Sequence, residues 1–405
     1  MKKKALALAV AGALGAPALA LAQASTVQIY GQVRVDYQYL KQGDGLKSVD
    51  AFSSYDSYLG FRGEEKLGGG LSAWFQCEST FDPTGESGAG NGFCTRNTGV
   101  GFKGQWGNVF FGNWDTPYKI VHGSVYRPFS TAGAFGNANI LHNGTNSNVG
   151  NGTLGGFAAT GFSRRAQNQV AFHSGDFAGF QVLASYTGTD ESTQLTTNAA
   201  PTSKPRLYSL GATWTAGPLY IGAAYEEHKS FNPGQGQAFG FGNNQYREGT
   251  DHAWEIVAAF TLGPVRLGAS YHELKYETAG AAAGSQTELK YKPWAVYADW
   301  RIIGPHTLRV EYLHAPNTKG NSAVAVGSLG SPLLGDTGAQ LYGIQYAYAF
   351  SKRTEVNFGY VLLDNDRNSR FALQSPARMN TCQGGPAVGC NRDQSAYVLG
   401  VIHRF

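Results

Sequence analysis

After its first 24 residues, the 405-residue sequence contains no hydrophobic run that approaches the roughly 18 residues required for a membrane helix. Methionine is scarce, with two in the chain, and cysteine is limited to four. The cysteine spacing fits neither a CxxC pair nor a zinc site. Glycine and aromatic residues are abundant instead, with 55 Gly, 22 Tyr and 23 Phe, a composition typical of strands joined by tight turns. The composition therefore predicts an all-β protein.

The first 24 residues have the pattern of a secretory signal peptide, with three lysines, an Ala/Leu-rich stretch and small residues at its end. We expect cleavage after Ala22 or Ala24, which leaves a single domain over 25–405. An uncleaved membrane anchor is the alternative, but glycines and a proline interrupt the apolar stretch.

Net charge is also nearly absent from the mature chain. Removal of the signal changes 32 basic and 28 acidic residues into 29 and 28. The mature chain therefore lacks the net positive charge that would attract nucleic acid to the whole molecule. Any effect of charge must arise from charged residues that are grouped locally by sign.

Apolar and polar side chains alternate along the first mature segment. In 27–40 one face consists of Val27, Ile29, Gly31, Val33, Val35, Tyr37 and Tyr39, and the other of Gln28, Tyr30, Gln32, Arg34, Asp36 and Gln38. A period of two predicts a strand with an apolar and a polar side.

The same alternation recurs along the chain. We predict sixteen strands, near 27–40, 53–63, 71–81, 96–105, 108–115, 164–174, 179–188, 206–215, 219–229, 251–262, 265–277, 290–301, 306–315, 338–349, 354–364 and 394–405. Their connections alternate between short turns, such as 64–70, and eight long loops at about 41–52, 82–95, 116–163, 189–205, 230–250, 278–289, 316–337 and 365–393. This alternation predicts a sixteen-stranded antiparallel transmembrane β-barrel with an aqueous lumen, since a soluble sandwich would mix hairpins with crossovers.

The chain ends on a strand whose bulky face consists of Tyr397, Leu399, Val401, His403 and Phe405. A closed barrel pairs this strand with 27–40, so that no strand edge is left in lipid. We expect the Phe405 ring to lie in the aromatic girdle at the membrane interface.

Five stretches resemble the trimeric general porins of Gram-negative outer membranes, of the beta-proteobacterial and neisserial type. They are "STVQIYGQVRVDY", "YLGFRGEEKLGGGLSAWFQCES" at 58–79, "RNTGVGFKGQWGNVFFGNWDTPY" at 96–118, "RRAQNQVAFHSGDFAGFQV" at 164–182 and the terminal "GVIHRF". The resemblance covers essentially the whole mature chain. It implies a sixteen-stranded barrel, a third loop over about 116–163 that folds inward, and a homotrimer.

The function that follows is a water-filled channel of the bacterial outer membrane for passive diffusion of small hydrophilic solutes and ions. The expected surroundings are outer-membrane lipid and lipopolysaccharide, with no cofactor, no metal and no nucleic acid. No enzyme activity is expected, because the chain has no GxSxG motif and His272-Glu273 lacks the second histidine of HExxH. A barrel that serves as an adhesin or an enzyme through its outer loops is the other class of function considered.

The inward loop is the source of a charge prediction. No Asp or Glu occurs from 116 to 175, whereas Lys119, Arg127, Arg164 and Arg165 are present. Two unit charges about 4 Å apart interact by about 1 kcal/mol in water and about 4 kcal/mol at a dielectric near 20. We therefore expect weak anion preference. The alternative is that these loop cations are solvated or pair with lumenal acids such as Asp115 or Glu78.

Arg165 lies on the same face of its predicted strand as glutamines that are expected to line the lumen. The resemblance also implies a pore arginine at this position. Strict alternation from Val100 places Arg96 towards lipid, where a midplane arginine costs about 2–4 kcal/mol. Arg96 must therefore lie beyond the bilayer or on a bulge that turns it inward, and the resemblance favours the bulge. Asp115 completes the residues expected near the constriction.

Tyr58 replaces the arginine that the family commonly has in Ser-Arg-Leu-Gly, so the implied arginine cluster has one member fewer. Parity directs Tyr58 and Arg62 to the lumen. Further expected lumen-lining residues are Arg34, Asp36, Glu78, Asp299, Arg301, Arg309 and Glu311.

A channel specific for a small organic anion, a sugar or an aromatic solute is the alternative to a general one. Aromatic residues in or beside the inward loop support this alternative, namely Trp114, Tyr118, Tyr126, Phe129 and Phe135.

The four cysteines form two local pairs, and export to an oxidising compartment favours disulfides over free thiols. If Leu71 lies opposite Val100 in the hairpin, Cys77 lies opposite Cys94 within bridging reach. Cys382 and Cys390 close a nine-residue segment of the last outer loop.

Overall fold

The computed structural model of the protein describes residues 27–43, 47–85, 92–126, 129, 133–143, 161–188, 206–229, 249–279, 286–323, 325–373 and 393–405. The predicted signal peptide, Arg127, and the pair Cys382 and Cys390 lie outside these ranges.

Nineteen strand segments within the described ranges join in a single antiparallel sheet. They are β1 (Gln28–Lys41), β2 (Val49–Ser53), β3 (Tyr58–Gly68), β4 (Leu71–Thr80), β5 (Thr98–Gly104), β6 (Gly107–Asp115), β7 (Arg165–Ser174), β8 (Phe180–Gly188), β9 (Arg206–Ala216), β10 (Leu219–Lys229), β11 (Gly249–Leu262), β12 (Val265–Ala279), β13 (Gln286–Tyr291), β14 (Trp294–Ile303), β15 (His306–Ala315), β16 (Lys319–Gly320), β17 (Ala339–Ala349), β18 (Thr354–Asn365) and β19 (Gln394–Arg404).

These segments make sixteen strands around the barrel, as the sequence predicts, because three strands are interrupted. β2 and β3 both pair with β1, β13 and β14 both pair with β12, and β16 extends the line of β15. Pro293 accompanies the second break, since proline has no N–H for the sheet. At the first break, between β2 and β3, the Ser57 hydroxyl accepts a hydrogen bond from the Arg34 N–H at 2.8 Å and donates one to the Arg34 carbonyl at 3.0 Å. The hydroxyl thus replaces the backbone groups that would pair with Arg34 in an unbroken strand.

The predicted closure of the barrel is confirmed. β1 pairs with β19 from Gln32 opposite Arg404 to Lys41 opposite Ser395. Gly31 and Phe405 then exchange two backbone hydrogen bonds of 3.1 Å each. The Phe405 ring lies over Gly31, where an added Cβ would come within 2.7 Å of the ring. The glycine therefore provides the space that the terminal ring fills.

The predicted alternation of faces is also confirmed. On β1, Ile29 and Tyr39 are exposed on the outer surface, whereas Asp36 and Gln38 are buried on the inner side. On β14, Trp294 and Val296 are exposed whereas Ala295 and Tyr297 are buried. The alternation ends near the short turn, where all four residues of 300–303 are exposed.

Some predicted boundaries are wrong. The segment 64–70 is not a turn, since β3 continues to Gly68 and only two residues separate it from β4. Three regions predicted as loops contain the short strands β2, β13 and β16. The sequences of these strands, VDAFS, QTELKY and KG, are too short to show a clear alternation, and pairing with a neighbouring strand decides that they are extended.

The described part of the third loop, residues 116–126, 129, 133–143 and 161–163, lies inside the barrel, as expected. It contains α1 (Pro117–Val125) and the single turn α2 (Ala138–Leu141). Thr116 caps α1 and Pro117 occupies its first turn, which is a favourable start for a helix. α1 packs against β9, β10 and β11. Gly211 and Gly222 provide room there for the Val121 side chain, which a Cβ at Gly222 would approach to 2.8 Å.

Among the described residues, no helix combines the length and the apolarity that crossing a membrane requires.

We expect Gly31→Ala to weaken closure of the barrel. The new Cβ would lie 2.5 Å from the Tyr58 carbonyl oxygen and 2.7 Å from the Phe405 ring, and overpacking of this kind costs about 1–3 kcal/mol. The measurement is the urea midpoint of the detergent-refolded barrel. Gly123→Ala in α1 is the matched control, because its Cβ meets nothing within 4 Å. Equal midpoints for the two variants would contradict the role of Gly31.

Candidate functional site

Charged residues from five elements meet where the third loop leaves the barrel wall. We call them the loop-root cluster, defined as Tyr58, Glu78, Arg96, Asp115, Lys119 and Arg165. The charged side chains of this cluster have exposed fractions between 3% and 18%, so they are largely shielded but still reach the open lumen. Charges in such a setting interact more strongly than charges on a fully exposed surface.

Asp115, the last residue of β6, connects the loop to the wall. Its Oδ1 accepts from Lys119 Nζ at 2.8 Å and lies 3.1 Å from Arg165 Nη2. Asn97 donates to the other carboxylate oxygen at 3.2 Å and accepts from Arg165 Nε at 2.6 Å. Lys119 follows Asp115 by four residues, because α1 begins immediately after the strand and turns the lysine back.

Arg96 points into the lumen beside the cluster. Its Nε lies 2.6 Å from Glu78 Oε1, and its guanidinium lies 5.1 Å from the centre of the Tyr58 ring. Strict alternation along the strand would direct Arg96 towards lipid, but β5 begins only at Thr98. Arg96 therefore lies in the irregular segment before the strand, where the alternation does not apply. The Arg96 N–H donates to the Glu78 carbonyl at 2.8 Å and fixes this segment on β4.

The predicted disulfide between Cys77 and Cys94 is confirmed, with 4.8 Å between the Cα atoms. The register that predicted it is wrong by four residues, because Phe75 rather than Leu71 lies opposite Val100. Cys94 reaches Cys77 from outside the ladder, at a left-handed residue with φ of 58°. The bridge therefore holds the irregular segment that carries Arg96.

The charges of the cluster nearly balance. Three cations, Arg96, Lys119 and Arg165, face two carboxylates, Glu78 and Asp115. Asp56 and Arg62 add one charge of each sign nearby, where Arg62 donates to Gln28 at 2.9 Å and lies over the Tyr30 ring. One positive charge remains. The sequence left open whether the loop cations are uncompensated or pair with lumenal acids, and Lys119 does pair with Asp115. The excess of positive charge is therefore smaller than the loop sequence alone indicates.

The pKa of the Lys119 ammonium group depends strongly on the position of this residue in the cluster. Burial lowers the pKa of its ammonium group to about 8, although Asp115 opposes the shift. Arg165 and Arg96 lower this pKa further because they carry the same charge. His142 lies on the other side of the loop within electrostatic range.

The remaining expected site residues lie elsewhere along the wall. Arg34 pairs with Asp36 at 2.9 Å on β1. Arg309 forms a two-pronged pair with Glu355 at 2.9 and 3.0 Å and lies 3.8 Å from Asp299.

Three others do not join the loop-root cluster. Arg164 lies within electrostatic range of Asp251 and Tyr276, away from Arg165. Glu311 is buried next to Gly343, which also touches Phe135 of the third loop. Arg301 is exposed next to the short turn between β14 and β15.

An aromatic cluster lies on the same wall, of which the sequence analysis named Trp114 but missed its ring partners. Trp74, Phe110 and Trp114 have ring centres 5.0–5.7 Å apart, and His173 lies 5.0 Å from Phe110. Trp74 shares parity with Gln76 and Glu78, so alternation along β4 was the available signal.

The two sides of the lumen differ. Inward side chains of β9 to β13 pack against the third loop and include Val257, Leu274, Tyr276, Leu289 and Tyr291, all at most 1% exposed. Inward side chains of β1, β3 and β4 are mainly polar and include Tyr30, Gln32, Tyr58, Arg62 and Gln76. An aqueous path beside the loop therefore borders the loop-root cluster.

Comparison with known proteins agrees with this architecture. The family described as Gram-negative porin matches residues 5–368. Outer membrane porin protein 32 of Delftia acidovorans is 32% identical over 192 residues, which cover 46% of this chain and 49% of that protein. The chain spans from about a third to about a half of the length of the first curated relatives that it matches.

Solved structures share the fold. The anion-selective porin from Comamonas acidovorans has a TM-score of 0.68 at 19% identity, with 94% of this chain and 100% of that chain covered. The trimer form of OmpT of Vibrio cholerae has a TM-score of 0.63 at 16% identity, with 95% and 100% covered.

Proposed function

The chain belongs to the Gram-negative porin family, and we propose that it forms a water-filled channel for passive diffusion of small hydrophilic solutes and ions with weak anion preference. Its location is the bacterial outer membrane. The family is not a class of enzymes. The observation that carries the proposal is the loop-root cluster, a set of fixed charges beside an inward loop in a closed barrel.

The small excess of positive charge supports a weak rather than a strong preference. A single unpaired unit charge about 4 Å from a passing ion contributes about 1 kcal/mol in water, and more where water is confined. The Comamonas acidovorans protein that shares the fold is described as anion-selective. Discrimination of this kind depends on charge and diameter at the narrow zone and requires no bound state of high affinity.

We further propose that the assembly is a homotrimer in contact with outer-membrane lipid and lipopolysaccharide. The trimer form of the Vibrio cholerae structure supports this stoichiometry. The band of exposed apolar side chains on the outer surface supports contact with lipid, since the outward residues of a membrane barrel face hydrocarbon.

Lys119→Met and Glu78→Gln are expected to move ion preference in opposite directions. The first variant removes one of three cations of the loop-root cluster, and the second removes one of two carboxylates while its amide oxygen still accepts from Arg96. The chloride-to-potassium permeability ratio should fall about two- to fivefold in Lys119→Met and rise by a similar factor in Glu78→Gln. The measurement is the reversal potential of single channels under a salt gradient.

Lys103→Met is the matched control for that experiment. Lys103 pairs with Glu64 at 2.5 Å near a short turn, and both side chains are at least 40% exposed, so its removal should leave the ratio unchanged. A cation-sided reversal potential in the wild type would refute the anion preference, and absence of conductance would refute the channel.

The anion preference should also decrease as pH rises from 7 to 9. Lys119 is charged below its pKa of about 8 and neutral above it, so the cluster loses its excess positive charge in this range. The reversal potential measured across the same pH range tests this expectation, and Lys119→Met should abolish the pH-dependent step. A step of equal size in that variant would assign it to another group.

A channel specific for a small aromatic anion is the second candidate, and the lumenal aromatic cluster favours it. Trp74 and Trp114 are partly exposed with ring centres 5.7 Å apart, and Trp114 directly precedes Asp115, the carboxylate that pairs with Lys119 and Arg165. An aromatic carboxylate could stack on these rings while its charge faces Arg96 or Arg165.

This second candidate predicts that an aromatic carboxylate blocks the ion current at lower concentration than an aliphatic one. Trp114→Leu should weaken the block about three- to tenfold, since an aromatic pair contributes about 0.5–1.5 kcal/mol. Trp106→Leu, at an exposed turn position, is the control. Equal block by both carboxylates, or no change in Trp114→Leu, would leave the general channel as the function.

A further inference from the structure

Three histidines and a glutamate meet where the third loop packs against the barrel wall. His122 lies in α1, and His142 follows α2. Glu255 and His272 lie on the neighbouring strands β11 and β12, where they are opposite each other in the sheet. One ligand atom from each residue lies within 4.8 Å of the others. All four side chains are buried, with exposed fractions of 0–1%.

The atoms facing each other are those that bind metals. Glu255 Oε2 lies 3.2 Å from His272 Nδ1, 3.5 Å from His142 Nε2 and 3.8 Å from His122 Nδ1. In a tetrahedral zinc site with metal–ligand bonds of about 2.0–2.1 Å, ligand atoms lie roughly 3.3 Å apart. The three distances from Glu255 Oε2 are therefore within about half an ångström of this spacing, whereas the widest separation in the cluster, up to 4.8 Å, would have to shorten by about 1.5 Å when an ion binds.

The outer partners orient two of the rings for this task. His122 Nε2 lies 3.2 Å from Asn137 Oδ1, which accepts its N–H, and His272 Nε2 lies 2.9 Å from Ser270 Oγ. With Nε2 protonated, each ring presents its other nitrogen, Nδ1, as a lone pair towards Glu255. The Tyr118 hydroxyl lies 3.3 Å from His272 Nδ1 and would have to release this nitrogen when a metal binds. A metal-binding histidine typically donates its second nitrogen to such a partner, which fixes both tautomer and direction.

Several polar atoms at the centre of the cluster have no hydrogen-bond partner among the described residues. They are both oxygens of Glu255, both ring nitrogens of His142 and Nδ1 of His122. A buried polar group without a partner costs about 1–3 kcal/mol, and a buried charge costs more. A metal ion at the centre would give these atoms a common partner.

We propose that His122, His142, Glu255 and His272 bind one first-row divalent transition-metal ion, with zinc as the best match, in a closed four-coordinate structural site. Imidazole nitrogen with one carboxylate suits zinc and its neighbours, whereas magnesium and calcium prefer oxygen ligands. Four protein ligands leave no open position, as in structural rather than catalytic zinc sites.

The ion would attach the inward loop to the wall at two points. His122 and His142 are 20 positions apart in the loop, whereas Glu255 and His272 belong to one hairpin of the barrel. Bound metal therefore fixes the position of the loop relative to β11 and β12. This role is distinct from the ion preference proposed above, because it concerns the position of the loop, although the site lies within electrostatic range of Lys119.

The test is the metal content and zinc affinity of the full-length protein purified in detergent. After dialysis against metal-free buffer, elemental analysis should find one equivalent of transition metal per chain. Protein stripped with a chelator should bind one zinc ion, with an increase in thermal midpoint. X-ray absorption at the zinc edge should show four nitrogen or oxygen ligands, with imidazole scattering and no sulfur.

His142→Gln should bind zinc at least tenfold more weakly and show no zinc-dependent rise in thermal midpoint. His228→Gln is the matched control, since it removes a buried imidazole from the same wall, where His228 pairs with Glu226 at 2.9 Å outside the cluster. The inference would be overturned by stripped wild-type protein that takes up no zinc, by a sulfur or six-oxygen environment, or by equal affinities in the two variants. Because spectroscopy uses the wild type, misfolding of a variant does not remove the test.

Discussion

This structure depends on one constraint, which is that the hydrocarbon around the barrel offers the backbone no hydrogen-bond partners. In hydrocarbon, every N–H and C=O must find a partner within the protein, so the sheet must close. The closing pair is β1 with β19, and its last step is the exchange of two bonds between Gly31 and Phe405. The terminal ring covers the glycine, which joins the end of the chain to the outer surface of its first strand.

Closure creates an interior with two different sides. The third loop carries apolar residues such as Val121 and Tyr118 onto β9 to β12, and glycines on the wall make the approach possible. The opposite side remains polar, with the loop-root cluster at the border. The same loop therefore fills part of the lumen and places Lys119 beside the part that remains.

Pairing reduces the electrostatic effect of the loop. A segment with four cations and no acid appears strongly positive as sequence, yet Asp115 binds two cations and Glu78 binds Arg96. Such pairs act as short dipoles, and their field decreases faster with distance than that of a single charge. Ion discrimination then depends on the small remainder, and the buried position of Lys119 makes this remainder sensitive to pH.

The sequence by itself determined the strand count, the alternation of faces and the closure, because each depends on local periodicity or on connection length. The inward position of the third loop followed from the resemblance to a known family. The sequence also indicated the Cys77–Cys94 pair, although its register was wrong, since loop geometry rather than the ladder joins them. Only the tertiary structure decided that Arg96 turns inward from an irregular segment before β5, that Trp74 meets Trp114 edge to face, and that His122, His142, Glu255 and His272 converge. These residues are far apart in the chain, and no spacing rule relates positions that meet only when a loop folds across a closed sheet.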